Sequence, residues 1–275
     1  MRSYIVVLFL FTSTYLFSQN KTLDSLYAVL NDYPTEDSIK IDLIFKICRV
    51  EFFGSNKVKV VALSEEGLAL SKKVNYTKGE GFAYNYLALY YQSTGDFDKV
   101  ADNGMKMAEV YERSKNDAGL ARAYSMLSLV HQQWKNYDKA ESYLKKALEI
   151  NQKAGHKLGM AVNYMNLGVT LGMTGNYDSA INYFIKALAL RQELGDEKEI
   201  ANAYTNLGYA YVQKKDSKRA LQNFEKAYPL ALKTNNLVSQ FEINIGLLKI
   251  YATSGNYQKS ATYAGNSLAL AKELN

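Results

Sequence analysis

The stretch "YTNLGYAYVQKKDSKRALQNFEKA", Tyr204 to Ala227, decides the fold. On either side of the polar segment "KKDS", apolar residues recur at intervals of three and four, the spacing of one face of a helix. Asp216 in that segment has a short side-chain oxygen that caps the exposed amides of a following helix. The stretch therefore predicts two helices joined by a tight turn.

The same pattern returns every forty residues. The turn segments begin at residues 94, 134, 174, 214 and 254, and they read "TGDF", "WKNY", "TGNY", "KKDS" and "SGNY". Upstream of the turns, the same register places aromatic residues at Tyr84, Tyr124, Tyr164 and Tyr204. A fixed period of this length is the signature of a repeat architecture. We therefore predict an all-α chain of six helix pairs over residues 41–275, starting near residues 41, 81, 121, 161, 201 and 241.

Two further periodic features concern the contact within each pair. Asn or Asp occupies the predicted cap at Asn56, Asp96, Asn136, Asn176, Asp216 and Asn256, and in three turns the preceding Gly permits a left-handed end to the first helix. Small residues are expected to face each other across the pair, as Gly168 with Ala180 and Gly208 with Ala220. Cys48 stands at the equivalent place and is predicted to be structural, whereas Leu248 there predicts a spread or rotated sixth pair.

These residues carry a resemblance. From about Ile41 the chain resembles a tetratricopeptide repeat protein, whose aromatic, Leu-Gly, Tyr, Ala, Phe, Ala pattern is matched by a set of seven residues: Tyr204, Leu207, Gly208, Tyr211, Ala220, Phe224 and Ala227. The resemblance implies an α-solenoid of stacked antiparallel helix pairs that forms a right-handed superhelix with a concave inner face. The period departs from the common 34 residues. Such forty-residue arrays are similar to the extracytoplasmic regions of bacterial sensor histidine kinases. Pro229 lies inside a second helix and is expected to kink or shorten it.

In this family the first helix of each pair lines the concave face. Carried onto this chain, the candidate groove comprises Phe45, Arg49, Asn85, Leu89, Ser125, Leu129, Met165, Val169, Thr205, Tyr209 and Ile245. Because the set is mostly apolar, the expected partner is an apolar or amphipathic protein segment rather than a peptide carboxylate held by lysines. Trp134, in a turn, is either a secondary contact or folded back over Tyr137.

The residue inventory does not favour catalysis or cofactor binding. The two histidines, His131 and His156, are far apart in register, and there is no HExxH, paired-Cys or GxSxG motif. His131 is expected to pack in the core or to form a satisfied hydrogen bond. The formal net charge of +6 comes from scattered lysines, so nucleic-acid binding is not expected either. We therefore expect no catalytic residue, metal site or cofactor.

The N-terminus predicts export. Arg2 precedes a mostly apolar run from Tyr4 to Phe17, which is the length of a signal-peptide core and short for a membrane span. The expected organisation is a signal peptide over residues 1–18 and a capping helix with linker over residues 19–40. An uncleaved anchor is the alternative. The protein is then expected to be periplasmic or secreted.

The function expected from these features is a non-catalytic scaffold that binds a peptide or protein segment. Leu268 and Leu270 lack a following repeat to cover them. An alternative is therefore the sensor region of a longer membrane signalling protein, a histidine kinase or transcription regulator that continues past residue 275. A cytosolic peptide-responsive regulator remains a third reading, and it requires that the N-terminus is retained in the cell.

Overall fold

A computed structural model describes residues 23–54 and 57–274, apart from the side chain of Phe53. The predicted signal peptide and the predicted cap Asn56 lie outside the described residues. The described part contains thirteen helices and no strand. They are α1 (described over 23–32), α2 (Ser38–Phe53), α3 (Lys57–Lys73), α4 (Thr77–Thr94), α5 (Phe97–Arg113), α6 (Asp117–Gln133), α7 (Tyr137–Lys153), α8 (Lys157–Met173), α9 (Tyr177–Leu194), α10 (Glu197–Gln213), α11 (Ser217–Lys233), α12 (Leu237–Thr253) and α13 (Tyr257–Leu274).

The helices follow the period of the sequence. First helices α4 to α12 begin at Thr77, Asp117, Lys157, Glu197 and Leu237, each forty residues after the last, and the second helices follow in the same register. Each first helix thus begins three or four residues before the start expected from the sequence pattern. The all-α class and the packing of consecutive helices into antiparallel pairs are confirmed.

Polar side chains define where the second helices begin. At all five described positions the predicted Asn or Asp accepts a hydrogen bond from the backbone N–H three residues later, as Asp96 does from Lys99 and Asn256 from Lys259. The turns before these caps need a residue with positive φ. Gly95, Gly175 and Gly255 supply it, whereas Lys135 and Lys215 adopt it without being glycine.

The chain divides into two compact units, one up to Val130 and the other from His131 onward, with the boundary inside α6. In the first unit a core around Ile41, Ile44 and Ile47 is buried between α2, α3 and α4. Leu23 and Leu26 of α1 pack against this core. The short helix predicted before the first repeat therefore covers apolar side chains of the first pair.

In the second unit Phe224 is a central packing residue. Its ring is fully buried in the cluster formed by α10, α11 and α12. A Cβ atom added at Gly208 would lie 2.4 Å from this ring, and one added at Gly246 would also lie 2.4 Å from it. The ring is thus held between two helix backbones that approach closely because both positions lack a side chain.

Three expectations about packing are refined. The nearest side chain to Gly168 is Phe184 and the nearest to Gly208 is Phe224, so the glycines accommodate phenylalanine rings rather than Ala180 and Ala220. Cys48 is fully buried and its thiol lies 3.8 Å from the Ser64 hydroxyl, which agrees with a structural role. Burial raises the pKa of the Cys48 thiol to about 12.

Pro229 does not shorten its helix. The second helix α11 has 17 residues, the same length as α5 and α7. The proline costs α11 one hydrogen bond, since it has no N–H to donate to the carbonyl of Glu225. No helix within the described residues is long and apolar enough to cross a membrane.

Candidate protein-binding surfaces

The first helices form the inner layer of each unit. In the first unit α2 packs on α4, and in the second unit α10 packs on both α8 and α12. Within each unit, neighbouring second helices share no comparable contact among the described residues. The first helices of a unit therefore lie closer to one another than its second helices do, and the first helices carry the predicted groove residues.

The predicted groove residues differ in their accessibility. Arg49 is exposed, and seven others are partly exposed: Leu89, Ser125, Leu129, Met165, Val169, Tyr209 and Ile245. Phe45, Asn85 and Thr205 retain 4%, 9% and 1% of their exposed area. The Thr205 hydroxyl donates to the carbonyl of Ala201 in its own helix. These three side chains are therefore buried beneath the surface and are not themselves available to a partner.

In the first unit, a cleft of about 220 Å³ opens between α2 and α4. Its floor is aromatic, because Phe45 stacks on Tyr86 with ring centroids 6.0 Å apart and meets Phe82 edge-on at 5.8 Å. We call this recess the aromatic cleft. Its lining residues are Asp42, Phe45, Lys46, Arg49, Lys78, Phe82 and Tyr86.

The aromatic cleft has an excess of positive charge. Its single acid, Asp42, lies 3.5 Å from the Lys78 ammonium and accepts a hydrogen bond of 2.9 Å from the Tyr76 hydroxyl. Lys46 and Arg49 have no carboxylate partner among the described residues. An aromatic floor flanked by two unpaired cations suits a ligand side chain that combines an apolar body with a negative charge.

Burial raises the pKa of Tyr86, and the positive charge of Arg49 opposes this shift. Arg49 is therefore close enough to act electrostatically on the floor of the aromatic cleft. A ligand carboxylate placed there would be attracted by a guanidinium that no carboxylate of the described residues already neutralises.

In the second unit the predicted residues form a more apolar surface. Met165 and Val169 pack partly buried against the core of α8 to α10. Tyr209 lies edge-on to Phe224 at 5.6 Å and donates a hydrogen bond of 2.6 Å to the carbonyl of Glu242. The residue Glu242 is exposed overall, but the surrounding protein displaces water from its carboxyl and thereby raises the carboxyl pKa.

Trp134 contacts a residue other than the one expected. The indole is 47% exposed and lies edge-on to His131, with ring centroids 5.3 Å apart. His131 itself is buried and stacks on Tyr143 at 5.5 Å. Packing in the core is therefore its observed role, but its Nδ1 atom has no hydrogen-bond partner.

Sequence reasoning missed most of the aromatic cleft. It selected Phe45 and Arg49 but not Lys78, Asp42, Lys46, Phe82 or Tyr86. The last four each stand three residues before a selected position, which is Phe45, Arg49, Asn85 or Leu89, respectively. On a helix, such positions lie on the same face as their neighbours three and four residues away. That spacing was the available signal, and applying it to the first helices would have found the cleft.

Comparison with known proteins identifies the family of this chain. The family model for the tetratricopeptide repeat matches residues 79–153 and 159–233, more than half of the chain. The chain belongs to the tetratricopeptide repeat family. The tetratricopeptide repeat is in general a protein-interaction scaffold. No curated protein matches the sequence.

Three solved structures illustrate the shared fold. The apo form of RapI is similar with a TM-score of 0.75 and 16% identity, covering 98% of this chain and 97% of RapI. A Rap protein complexed with competence and sporulation factor has a TM-score of 0.71 and 17% identity, covering 93% and 77%. BtubC from P. vanneervenii has a TM-score of 0.66 and 21% identity, covering 79% and 90%. At these identities the likeness establishes the fold.

Proposed function

We propose that this tetratricopeptide repeat protein is a non-catalytic scaffold that binds a peptide or protein segment on the face of its first helices. The observation that carries the proposal is the aromatic cleft, where an apolar floor and two unpaired cations coincide on α2 and α4. In the second unit, the partly exposed Met165, Val169 and Tyr209 supply a separate, apolar surface on the first helices.

The aromatic cleft refines the expected partner. An apolar or amphipathic segment would place one aromatic or aliphatic side chain against Phe82 and Tyr86. An acidic residue of the segment would meet Lys46 or Arg49. A few such anchors dominate the affinity of most interfaces, while the surrounding contacts exclude water. The Rap protein solved with competence and sporulation factor shows that an array of this fold accommodates such a factor, which supports the proposal by analogy.

A peptide array tests this function. Fifteen-residue peptides that vary in acidic and aromatic content would be probed with the full chain and with Arg49→Glu and Lys46→Glu. Each reversal is expected to weaken binding of acidic peptides by about tenfold or more, since it replaces attraction with like-charge repulsion. Lys218→Glu, which reverses an exposed charge on second helix α11, is the matched control and should leave binding unchanged.

Two results would contradict the proposal. One is an array in which acidic and aromatic peptides bind no better than neutral polar ones. The other is equal binding by Arg49→Glu and Lys218→Glu, which would separate recognition from the aromatic cleft. Melting curves of all three variants show whether each remains folded.

We also propose that the protein is exported, on the basis of the apolar run from Tyr4 to Phe17. Sequencing the N-terminus of the protein recovered from its host tests this: a chain that begins near Gln19 and lies outside the cytoplasm supports export, whereas an intact cytosolic chain supports the peptide-responsive regulator instead. Reading the gene past Asn275 tests the sensor alternative, since a spanning segment followed by an effector domain would favour a forty-residue-repeat receptor.

A further inference from the structure

A second recess lies away from the first-helix face, in the second unit. Side chains of α11, α12 and α13 enclose a cavity of about 440 Å³, within the usual size range of pockets that hold small organic ligands. Three of its lining residues are tyrosines: Tyr228, Tyr251 and Tyr263. We call it the tyrosine pocket. No lysine or arginine belongs to its described lining.

An unneutralised acidic residue, Glu225, borders the tyrosine pocket. Its exposed carboxylate has no ion-pair partner among the described residues. Its backbone carbonyl lacks the usual helical donor because the residue four positions later is Pro229, which also lines the pocket. Burial raises the pKa of Tyr263; the Lys259 ammonium opposes this shift and the Glu225 carboxylate adds to it.

The chain itself shows what covers a tyrosine at the position of Tyr263. The two preceding tyrosines in this register, Tyr143 and Tyr183, each lie under the ammonium of a lysine three residues later. Lys146 is 5.8 Å from the centroid of the Tyr143 ring, and Lys186 is 5.4 Å from that of Tyr183.

At Tyr263 the corresponding residue is Asn266, which is uncharged. Its amide lies 3.5 Å from the side-chain oxygen of Asn244 on α12. The sixth pair thus keeps the tyrosine of this arrangement but lacks the cation. It is also the pair whose tyrosine faces the pocket bordered by Glu225.

A neighbouring lysine, Lys259, covers the adjacent tyrosine instead. Lys259 lies 4.9 Å from the centroid of Tyr251, and Tyr251 stacks on Tyr263 with ring centroids 5.6 Å apart. Lys259 covers Tyr251 but does not line the pocket. The pocket wall therefore combines aromatic rings and a carboxylate, and both attract a positive charge.

We propose that the tyrosine pocket binds an ammonium group attached to an apolar body, with the cation between Tyr263 and Glu225. The apolar part of the ligand would lie against Leu221 and Leu247, which also line the pocket. A small alkyl- or arylammonium compound and the lysine side chain of a peptide share this chemistry. The site is independent of the first-helix face and does not require the proposed function to be correct.

Calorimetric titration of the full chain with phenethylammonium tests the site, with the neutral 2-phenylethanol as its matched ligand. The ammonium is expected to bind at least about tenfold more tightly, since one cation–π contact and one carboxylate each contribute severalfold. Nα-acetyl-lysine methylamide, titrated in parallel, distinguishes the two sources. Binding of either ammonium supports the site and identifies its ligand as a free compound or as a lysine side chain.

Asn266→Lys provides the most specific variant, because it restores the lysine found beside Tyr143 and Tyr183. The internal ammonium should occupy the pocket and reduce phenethylammonium binding by about tenfold or more, without loss of stability. Ala264→Lys adds the same charge at an exposed position of α13 and should reduce binding much less. Glu225→Gln should weaken binding severalfold.

Three results would overturn the proposal. These are the absence of binding by both ammonium compounds, equal affinity for phenethylammonium and 2-phenylethanol, and equal effects of Asn266→Lys and Ala264→Lys. Because Asn266→Lys introduces a residue that the same register carries three times in this unit, at Lys146, Lys186 and Lys226, unfolding is not expected, and a melting curve checks it.

Discussion

Replacing Gly208 with alanine tests how Phe224 holds the second unit together. In an exposed helix, Gly→Ala stabilises by about 0.5–1 kcal/mol, because alanine loses less conformational freedom on folding. At Gly208 the new Cβ would lie 2.4, 2.7 and 2.8 Å from three atoms of the Phe224 ring. All three distances are shorter than carbon atoms tolerate, so the ring or the helix must move.

The ring cannot retreat toward α12, because a Cβ at Gly246 marks the same close approach from that side. Overpacking of this kind costs about 1–3 kcal/mol, and since relief is blocked we expect a value in the upper half of that range. After subtracting the helix-propensity gain, Gly208→Ala should lower the free energy of unfolding by about 1–2 kcal/mol.

Urea denaturation followed by circular dichroism measures this difference. Gly265→Ala is the matched control, because a Cβ at Gly265 in α13 meets nothing within 4 Å and should stabilise. Adding Phe224→Leu should relieve part of the Gly208→Ala cost, and the double-mutant cycle should give a coupling of about 1 kcal/mol or more. Stabilisation by Gly208→Ala equal to that by Gly265→Ala would refute the packing argument.

Three other predictions follow from single residues. Burial, assisted by the charge of Lys139, lowers the pKa of His131, so the free energy of unfolding should fall as the pH drops below about 6.5, the ordinary histidine value. His131→Tyr should remove this loss in urea melts at several pH values, and an unchanged pH profile would contradict the prediction. Pro229→Ala should stabilise by about 1–3 kcal/mol, as it restores the hydrogen bond to Glu225, and thermal melts would show no gain if that carbonyl is already satisfied. Cys48 should resist a thiol reagent until the chain unfolds, because its buried thiol has a pKa of about 12, and rapid labelling of the native protein would show otherwise.

The sequence predicted the repeat architecture because its determinants are local. Helical spacing, a capping Asn or Asp, and a residue able to adopt positive φ act within a few positions of one another, and all return every forty residues. A local pattern that would be ambiguous in one segment therefore recurs in several segments, and the recurrence makes the helix-pair assignment specific. The same periodicity indicated that Cys48 is structural, since four of the five equivalent positions carry other small residues.

Contacts between side chains of different helices were harder to predict from the sequence. The pattern indicated that Gly208 permits a close approach, but not that the approaching group is Phe224, because two small residues in register suggest that they face each other. Likewise, Phe45 was assigned to an exposed groove, although its ring lies beneath Tyr86 and is buried. Whether a residue on a helix face is buried depends on the side chains of the next helix. The repeat period of the sequence does not determine the rotamers of those side chains.

The central claim is that the first helices carry the protein-binding surface. The tightest-binding peptide from the array, labelled with a photoreactive group at its aromatic residue, would be crosslinked to the full chain and mapped by mass spectrometry. Our account predicts crosslinks on α2 and α4 beside the aromatic cleft, which are lost in Arg49→Glu and kept in Lys218→Glu. Crosslinks confined to the second helices α3 and α5 would contradict it.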